Sequence, residues 1–168
     1  MVGRFGRGVL RTADERAESI PSMGELGLNH FAPYLLNRVA ASWNADMSEE
    51  LKRFDVTTLK MRVLAILSVS SGLAINELSL FAVTEQSTMS RTLDAMEEQG
   101  LIRRRPRADD ARVRETSLTD KGAAAFAAIW PMMYGRFREM FEGVSEDEYQ
   151  AFTATLHRII ENMRRSED

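Results

Sequence analysis

Residues 75–122 contain the pattern that decides the fold, INELSLFAVTEQSTMSRTLDAMEEQGLIRRRPRADDARVRETSLTDKG. Apolar residues at three- and four-residue steps predict a short helix over 75–82 and a second helix that follows Val83-Thr84 and runs to about Gln99. The connection between them is so short that they form a helix-turn-helix. Val83 stands in the turn, where such proteins often have glycine, and we expect the turn to avoid positive φ. Gly100 fits the position after the second helix, because glycine adopts positive φ without steric cost.

Two short β-prone runs follow the second helix. They cover residues 101–105 and 113–118, and the turn-forming, charged residues between them predict a β-hairpin with a loose tip. The segment 101–114 holds six arginines and two aspartates, a charge of +4. Because the whole chain has a net charge of −3, the other 154 residues sum to −7. A compact basic segment on an acidic body favours a local anionic partner, although a solvated arginine-rich loop gives the same count.

Further helices lie on both sides of this stretch. The apolar spacing predicts one helix over about 29–50, with Asn29 as its N-cap, and another that opens at Thr57 or Thr58. Thr119 caps a long helix, and Ser145 opens the last helix with a capping box. The predicted fold class is therefore mainly α with a small β-hairpin wing: a winged helix-turn-helix plus N- and C-terminal dimerisation helices.

The expected organisation has four parts. Residues 1–27 are rich in glycine and lack a sustained periodicity, so we expect a flexible N-terminal arm. Residues 28–56 supply the N-terminal helix and a linker, residues 57–118 the winged helix-turn-helix lobe, and residues 119–168 the C-terminal helices.

Composition limits the class of protein. The chain has 168 residues, 28% charged and 44% hydrophobic, as a folded domain usually has. It has no cysteine, which excludes disulfides, thiolate metal sites and a cysteine nucleophile. Its two histidines leave little for a metal site and no catalytic motif is present, so we expect no enzyme activity, cofactor or metal. No run is long enough to span a membrane and no secretory signal is present, so we expect a cytoplasmic protein.

The second helix of the pair has the residue types that a DNA-reading helix needs. A helix fits the major groove of DNA, and its first residues point at the base edges. The first residues here are polar or small: Glu85, Gln86, Ser87, Thr88, Ser90 and Arg91. The arginines of the hairpin can reach phosphates or the minor groove, whose negative potential attracts arginine. Two alternatives stay open: a solvated helix start that caps well, and strand arginines that pair with nearby acids.

Residues 57–122 resemble the DNA-binding core of the MarR family of bacterial transcription regulators. The segments that carry the resemblance are VTTLKMRVLAIL, INELSLFA, EQSTMSRTLDAMEEQGLIRRR and ADDARVRETSLTDKG. The last segment is the most specific. It places Asp110 two residues before Arg112 and Thr119 three residues before Gly122, as the wing and the following helix of the family do.

The resemblance implies DNA-binding roles. Arg112 would enter the minor groove from the wing, and Asp110 would orient the wing by pairing with an arginine. The residues that would face the major groove, its phosphates or the backbone beside the wing are Gln86, Ser87, Thr88, Ser90, Arg91, Arg103, Arg104, Arg105 and Arg107. Members of the family are homodimers, joined through the first and the last two helices, that bind pseudo-palindromic operators in double-stranded DNA. The topology match covers roughly residues 29–165.

Many members of the family also release DNA when a small aromatic or phenolic anion binds between the dimer helices and the DNA-binding lobe. The side chains that could line such a site are Phe31, Tyr34, Arg38, Trp43, Met61, Arg62, Trp130 and Tyr134. Methionines and aromatic residues at helical spacing also serve as core, so both interpretations stay open. The sequence thus predicts a homodimeric, sequence-specific DNA-binding transcriptional regulator, a repressor rather than an activator, that a small ligand modulates. The alternative is a winged-helix module for protein–protein contact without sequence-specific DNA binding.

Overall fold

The computed structural model describes residues 23–110 and 112–165. These residues are mostly helical, and a two-stranded antiparallel hairpin follows the fifth helix. The helices are α1 (Met23–Leu26), α2 (Ala32–Leu51), α3 (Thr58–Val69), α4 (Ile75–Ala82), α5 (Gln86–Glu98), α6 (Asp120–Met140) and α7 (Glu146–Arg165), and the strands are β1 (Ile102–Pro106) and β2 (Arg114–Leu118). The predicted fold class is confirmed. No helix in the described part of the chain is long and apolar enough to cross a membrane.

The chain divides between Glu50 and Leu51 into two compact units. The first unit holds α1 and nearly all of α2, and the second holds the helix-turn-helix, the hairpin and the last two helices. Of the predicted N-terminal arm, residues 1–22 lie outside the described residues, and Met23–Leu26 form one helical turn.

Helix α2 starts later than the sequence pattern predicts. It begins at Ala32 and not at Asn29, because residues 28–30 form a separate turn of 3-10 helix ahead of it. Pro33 is the second residue of α2. A proline is tolerated there, because a backbone N–H in the first turn has no partner within the helix.

The core of the second unit lies where α3, α4 and α5 pack together. Each helix turns its apolar residues inward at three- and four-residue spacing. The buried side chains of these helices include Met61, Val63, Leu64, Leu67, Leu78, Met89, Leu93 and Met96. Helix α3 starts as predicted, since Thr57 Oγ1 accepts a hydrogen bond from the backbone N–H of Lys60 at 3.3 Å.

The hairpin is anchored to the segment before α4. Strand β1 pairs with β2 so that Arg104 lies opposite Thr116. On the other side of β2, the Thr116 N–H donates to the Leu73 carbonyl at 2.8 Å, and the Gly72 N–H donates to the Thr116 carbonyl at 3.0 Å. Strand β2 is therefore hydrogen-bonded on both sides at Thr116.

The junction between the hairpin and α6 gives the Leu-Thr-x-x-Gly motif a physical explanation. The Thr119 hydroxyl donates to the Gly100 carbonyl at 2.6 Å and accepts from the Gly122 backbone N–H at 3.1 Å. A Cβ atom on Gly122 would overlap the carbonyl oxygen of Leu101. The motif thus fixes the N-terminus of α6 against the chain that leaves α5, and only glycine permits that approach.

Helices α6 and α7 carry a continuous row of aromatic rings. Neighbouring ring centroids lie between 5.0 Å and 6.3 Å apart. The rings belong to Phe126, Trp130, Tyr134, Phe137, Phe141, Tyr149 and Phe152. The predicted capping box opens α7, since the Glu148 N–H donates to Ser145 Oγ at 3.4 Å and the Ser145 N–H donates to Glu148 Oε2 at 2.9 Å. The Ser145 hydroxyl also donates to Glu148 Oε2, at 2.6 Å, and the two bonds that this carboxylate accepts lower the pKa of Glu148.

Candidate nucleic-acid interface

Helix α5 presents a polar surface beside the hairpin. Its inward side chains, Met89, Leu93 and Met96, are at most 1% exposed. The opposite side is polar and accessible at its N-terminal end, with Ser90 half-buried and with exposed Glu85, Gln86, Ser87, Thr88 and Arg91. The burial of one side and the exposure of the other follow directly from the amphipathic spacing of the sequence.

The turn before α5 contains a strained residue. Val83 has φ 53° and ψ 60°, in the left-handed region that favours glycine. The prediction that the turn avoids positive φ is therefore wrong. A connection of only three residues, 83–85, needs an abrupt helix end, and a left-handed residue provides it. The Val83 N–H bonds to the Leu80 carbonyl at 3.3 Å, and the Thr84 N–H bonds to the Ser79 carbonyl at 3.0 Å.

Alternation along β1 divides its three arginines between two faces. Arg104 shares the inward face with the buried Ile102, whereas Arg103 and Arg105 are exposed on the other face. Within the part of the chain that the structure describes, Arg103 and Arg105 form no ion pair and no side-chain hydrogen bond. Their guanidinium groups are available to an anion.

Arg104 joins the hairpin to α5. Its Nε donates to Glu97 Oε2 at 2.8 Å, its Nη2 donates to Asp94 Oδ1 at 2.7 Å, and its backbone N–H donates to Glu97 Oε1 at 2.8 Å. Burial opposes the guanidinium charge, but the bonds to Glu97 and Asp94 outweigh it and raise the pKa of Arg104. The same contacts, led by the side-chain hydrogen bond, lower the pKa of Glu97. The charge of Arg104 is thus neutralised within the fold.

Arg107 has a comparable internal role at the far end of β1. Its Nε donates to Glu115 Oε1 at 2.7 Å, and its Nη2 lies 3.8 Å from Glu77 Oε2. The hydrogen bond to Glu115 is the main cause of the raised pKa of Arg107. Glu77 also accepts the Ala74 N–H at 2.7 Å, so Arg107 links the hairpin to the start of α4. Arg104 therefore pairs with nearby acids, as the alternative interpretation of the strand arginines predicted, and Arg107 pairs with acids in the same way.

Asp110 shapes the tip of the hairpin. Its Oδ1 accepts the backbone N–H of Arg112 at 3.0 Å, and its carbonyl accepts the Val113 N–H at 3.0 Å. The implied pairing of Asp110 with an arginine side chain is corrected, because the carboxylate binds the backbone of Arg112 instead. Among the described residues the Arg112 guanidinium has no partner, and the residue is exposed. Asp110 therefore holds the turn that presents Arg112.

The side chains predicted to line an effector site fall in both units. In the first unit, Phe31, Tyr34 and Trp43 are half-buried, and the Arg38 guanidinium carbon lies 5.8 Å from the Tyr34 ring centroid. This distance corresponds to a cation–π contact along one side of α2.

In the second unit the predicted effector residues are separated by role. Met61 is 3% exposed and belongs to the core, and Arg62 Nη1 donates to the Ala82 carbonyl at the end of α4, at 3.1 Å. Trp130 and Tyr134 are neighbours on α6, with ring centroids 5.8 Å apart and about half of each side chain exposed. Of this set, the accessible aromatic surface is that of Trp130 and Tyr134.

An open cavity of about 740 Å³ lies where α6 turns into α7. Aromatic walls and charged rims define it, and its lining includes Tyr134, Phe137, Phe141, Tyr149, Arg138 and Glu142. Tyr134 is shared between this cavity and the predicted effector set. Nowhere in residues 23–110 and 112–165 do three histidine or carboxylate side chains gather in a way that could hold a metal ion.

Sequence reasoning missed the carboxylates that fix the hairpin. Asp94 and Glu97 are three residues apart, so they lie on one side of α5 and reach the same arginine. That spacing was a usable signal. Glu77 and Glu115 come from elements that meet only in the folded lobe, and no local pattern points to their shared partner, Arg107.

Comparisons with known proteins agree with this geometry. The model of the MarR family matches residues 56–113. A MarR-family transcriptional regulator from Silicibacter pomeroyi is 42% identical, with a TM-score of 0.79 over 84% of this chain and 96% of that one. The HTH-type transcriptional repressor IacR of Pseudomonas putida is 27% identical over 143 residues, 85% of this chain and 86% of that protein.

A third relative is the transcriptional repressor CouR, solved bound to a 23-mer DNA duplex. It is 26% identical, with a TM-score of 0.68 over 84% of this chain and 99% of that one. The similarity to the Silicibacter pomeroyi regulator extends over both the winged lobe and the flanking helices, at an identity high enough to settle the family. The chain belongs to the MarR family of transcriptional regulators, which are not enzymes.

Proposed function

We propose that this protein is a homodimeric, sequence-specific DNA-binding transcriptional repressor whose binding a small aromatic ligand modulates. One observation carries the proposal: the polar N-terminal side of α5 lies on the same lobe as a hairpin with unpaired arginines. A helix with polar first residues can read base edges in the major groove, and adjacent cations can bind phosphates or the minor groove. Helix α5 is then the recognition helix and the hairpin is the wing.

Four arginines supply the cations for DNA in this proposal. Arg91 lies on the recognition helix, Arg103 and Arg105 on the outer face of β1, and Arg112 at the wing tip. In the described part of the chain none of them is ion-paired, so binding a phosphate breaks no internal bond. The relatives support this assignment, since CouR is a repressor solved on a DNA duplex and IacR is a repressor.

Dimerisation is proposed through the helices outside the winged lobe. Helix α7 has no buried residue, and four of its large apolar side chains are 38–64% exposed: Phe152, Ile159, Ile160 and Met163. Helix α2 likewise exposes Leu35, Leu36 and Val39. Apolar surface on this scale needs a cover, and a second copy provides one with two-fold symmetry. We assign residues 28–56 and 119–168 to dimerisation and residues 57–118 to DNA binding.

Exposed aromatic rings on α6 support the binding of an aromatic effector. Trp130 and Tyr134 offer ring faces on α6 that an aromatic ligand can stack on. A phenolic anion such as 4-hydroxybenzoate has such a ring. It should weaken the protein's affinity for its operator, and Trp130→Ala should abolish this effect while leaving DNA binding intact.

Selection of bound duplexes from a random pool, at near-physiological salt, tests the central claim. An enriched inverted repeat with half-sites about one helical turn apart is expected for a dimeric reader of DNA. Binding without enrichment, or no binding, would contradict sequence-specific reading and favour the use of the winged helix for protein contact. Light scattering should give twice the 19.0 kDa mass of the chain, and a monomer mass at micromolar concentration would contradict dimerisation.

A further inference from the structure

Glu85 occupies the N-cap position of the recognition helix without acting as a cap. Its backbone has the extended geometry of an N-cap, φ −69° and ψ 143°, yet its side chain forms no capping hydrogen bond. Thr57 and Thr119 show what a cap does in this chain, because each hydroxyl accepts a backbone N–H of its own helix. The Glu85 carboxylate is exposed instead, and among the described residues it has no ion-pair partner.

A carboxylate at this position opposes non-specific DNA binding. The first residues of the recognition helix lie closest to the DNA, where the phosphate backbone creates a strong negative potential. A negative side chain there repels every duplex equally unless a base offers it a hydrogen-bond donor. Glu85 therefore gains favourable contact with DNA only through a donor on a base edge.

We propose that Glu85 is a specificity-determining residue that accepts a hydrogen bond from the N4 amino group of a cytosine in each half-site. This inference rests on the proposed function. A carboxylate only accepts hydrogen bonds, and the major groove offers two donors, cytosine N4 and adenine N6. The adenine amino group lies between two acceptors, adenine N7 and thymine O4, which repel a carboxylate on both sides. Cytosine N4 has an acceptor on one side alone, the guanine O6, so cytosine is favoured.

Substitutions at Glu85, the N-cap, and at Glu98, the last residue of α5, distinguish this hydrogen bond from simple repulsion. Glu85→Gln and Glu98→Gln remove the same charge from exposed residues at opposite ends of the helix region. Random-pool selection should give wild type and Glu98→Gln the same half-site, with cytosine preferred by about tenfold at one position. Glu85→Gln should prefer adenine at that position in place of cytosine, because the glutamine amide forms one hydrogen bond with adenine N6 and another with adenine N7. Glu85→Ala should leave that position without a preferred base.

The possible results distinguish the inference from the function on which it rests. If wild type enriches no inverted repeat, the proposed function fails and the inference fails with it. If wild type enriches a repeat but both Glu85 variants keep its base preferences unchanged, the inference alone is overturned. Tighter binding of Glu85→Gln to all duplexes, with an unaltered sequence preference, would likewise show that Glu85 only repels phosphates.

Discussion

Arg104 and Glu97 are joined twice, because the guanidinium Nε and the backbone N–H of Arg104 each donate to one carboxylate oxygen of Glu97 at 2.8 Å. A single carboxylate on the recognition helix thus holds both the backbone and the side chain of a wing strand. The additional bond from Arg104 Nη2 to Asp94 prevents rotation about that contact. These contacts therefore hold α5 and the hairpin in a fixed relative position.

Replacing Arg104 by glutamine should destabilise the fold by about 2 kcal/mol. The substitution removes charged hydrogen bonds from a side chain that is 17% exposed and leaves Glu97 partly desolvated. Urea unfolding measures the loss. Arg103→Gln is the matched control on the same strand, because Arg103 is exposed and unpaired among the described residues, and it should change stability by less than about 0.5 kcal/mol. Equal effects of the two variants would contradict the role of the Arg104 contact.

The contact between Arg104 and Glu97 should also make the stability of the fold fall at acidic pH. Since the folded protein lowers the pKa of Glu97, the ionised carboxylate stabilises the fold at pH above about 4.3, the value for a free glutamate. This contribution disappears as the pH falls through the lower, folded-state pKa. Glu97→Gln should therefore show a smaller loss in urea midpoint than wild type between pH 6 and pH 3. Arg104→Gln should remove the same pH dependence, and a full wild-type dependence in Arg104→Gln would refute this origin.

Gly122→Ala should be among the most damaging single-methyl changes in the chain. The added Cβ atom overlaps the Leu101 carbonyl, which is backbone and cannot move aside as a side chain does. We expect a loss of about 3 kcal/mol, the upper end of overpacking costs. Gly135→Ala on the same helix has open space around its Cβ position and should instead stabilise the protein by about 0.5–1 kcal/mol. Thermal unfolding of both variants tests the contrast in sign.

Val83→Gly should stabilise the protein, although it removes side-chain atoms. The left-handed conformation of Val83 costs about 1–2 kcal/mol for a residue with a Cβ atom. Glycine removes that strain but adds disorder to the unfolded chain, so the expected net gain is about 0.5–1 kcal/mol. Val69 is the control: it is similarly exposed but is the last residue of helix α3. Val69→Gly should therefore destabilise the protein. Destabilisation by both substitutions would count against strain at Val83.

The periodic spacing of apolar residues predicts most of this fold, because the residues that recur on one side of a helix or strand are the ones that the fold buries. The order of the helices, the hairpin and the caps at Thr57, Thr119 and Ser145 all follow from local spacing and local hydrogen bonds. The backbone of Val83 could not be predicted in the same way. Its φ is set by the need to end α4 only three residues before α5 begins, and that requirement overrides the preference of valine.

In the candidate site, too, local spacing predicts some features and tertiary packing determines the others. The amphipathic spacing of α5 predicts which residues are exposed, since one side of the helix must face the core. The hairpin arginines look alike in the sequence but are not equivalent in the fold. Arg104 and Arg107 meet carboxylates, whereas Arg103 and Arg105 do not. Alternation separates Arg104 from its neighbours, but the partners of Arg107 depend on tertiary packing.

Arg112 and Arg91 should affect DNA binding in different ways. Arg112 lies at the wing tip, so Arg112→Ala should weaken binding to all duplexes and reduce the slope of log K against log salt by about one. Arg91 lies on the recognition helix, so Arg91→Ala should cost about 1–3 kcal/mol at particular base pairs. Fluorescence anisotropy with an operator and its single-base variants, between 50 and 200 mM salt, measures both quantities.

Arg164→Ala is the charge-matched control for these variants. It removes one positive charge from the last turn of α7, outside the winged lobe. If the basic wing is the contact surface, Arg164→Ala should retain the affinity and the salt slope of the wild-type protein. Equal losses for Arg112→Ala and Arg164→Ala would mean that the overall charge of the chain, and not the geometry of the wing, governs DNA binding. An unchanged base preference in Arg91→Ala would remove that residue from the reading surface.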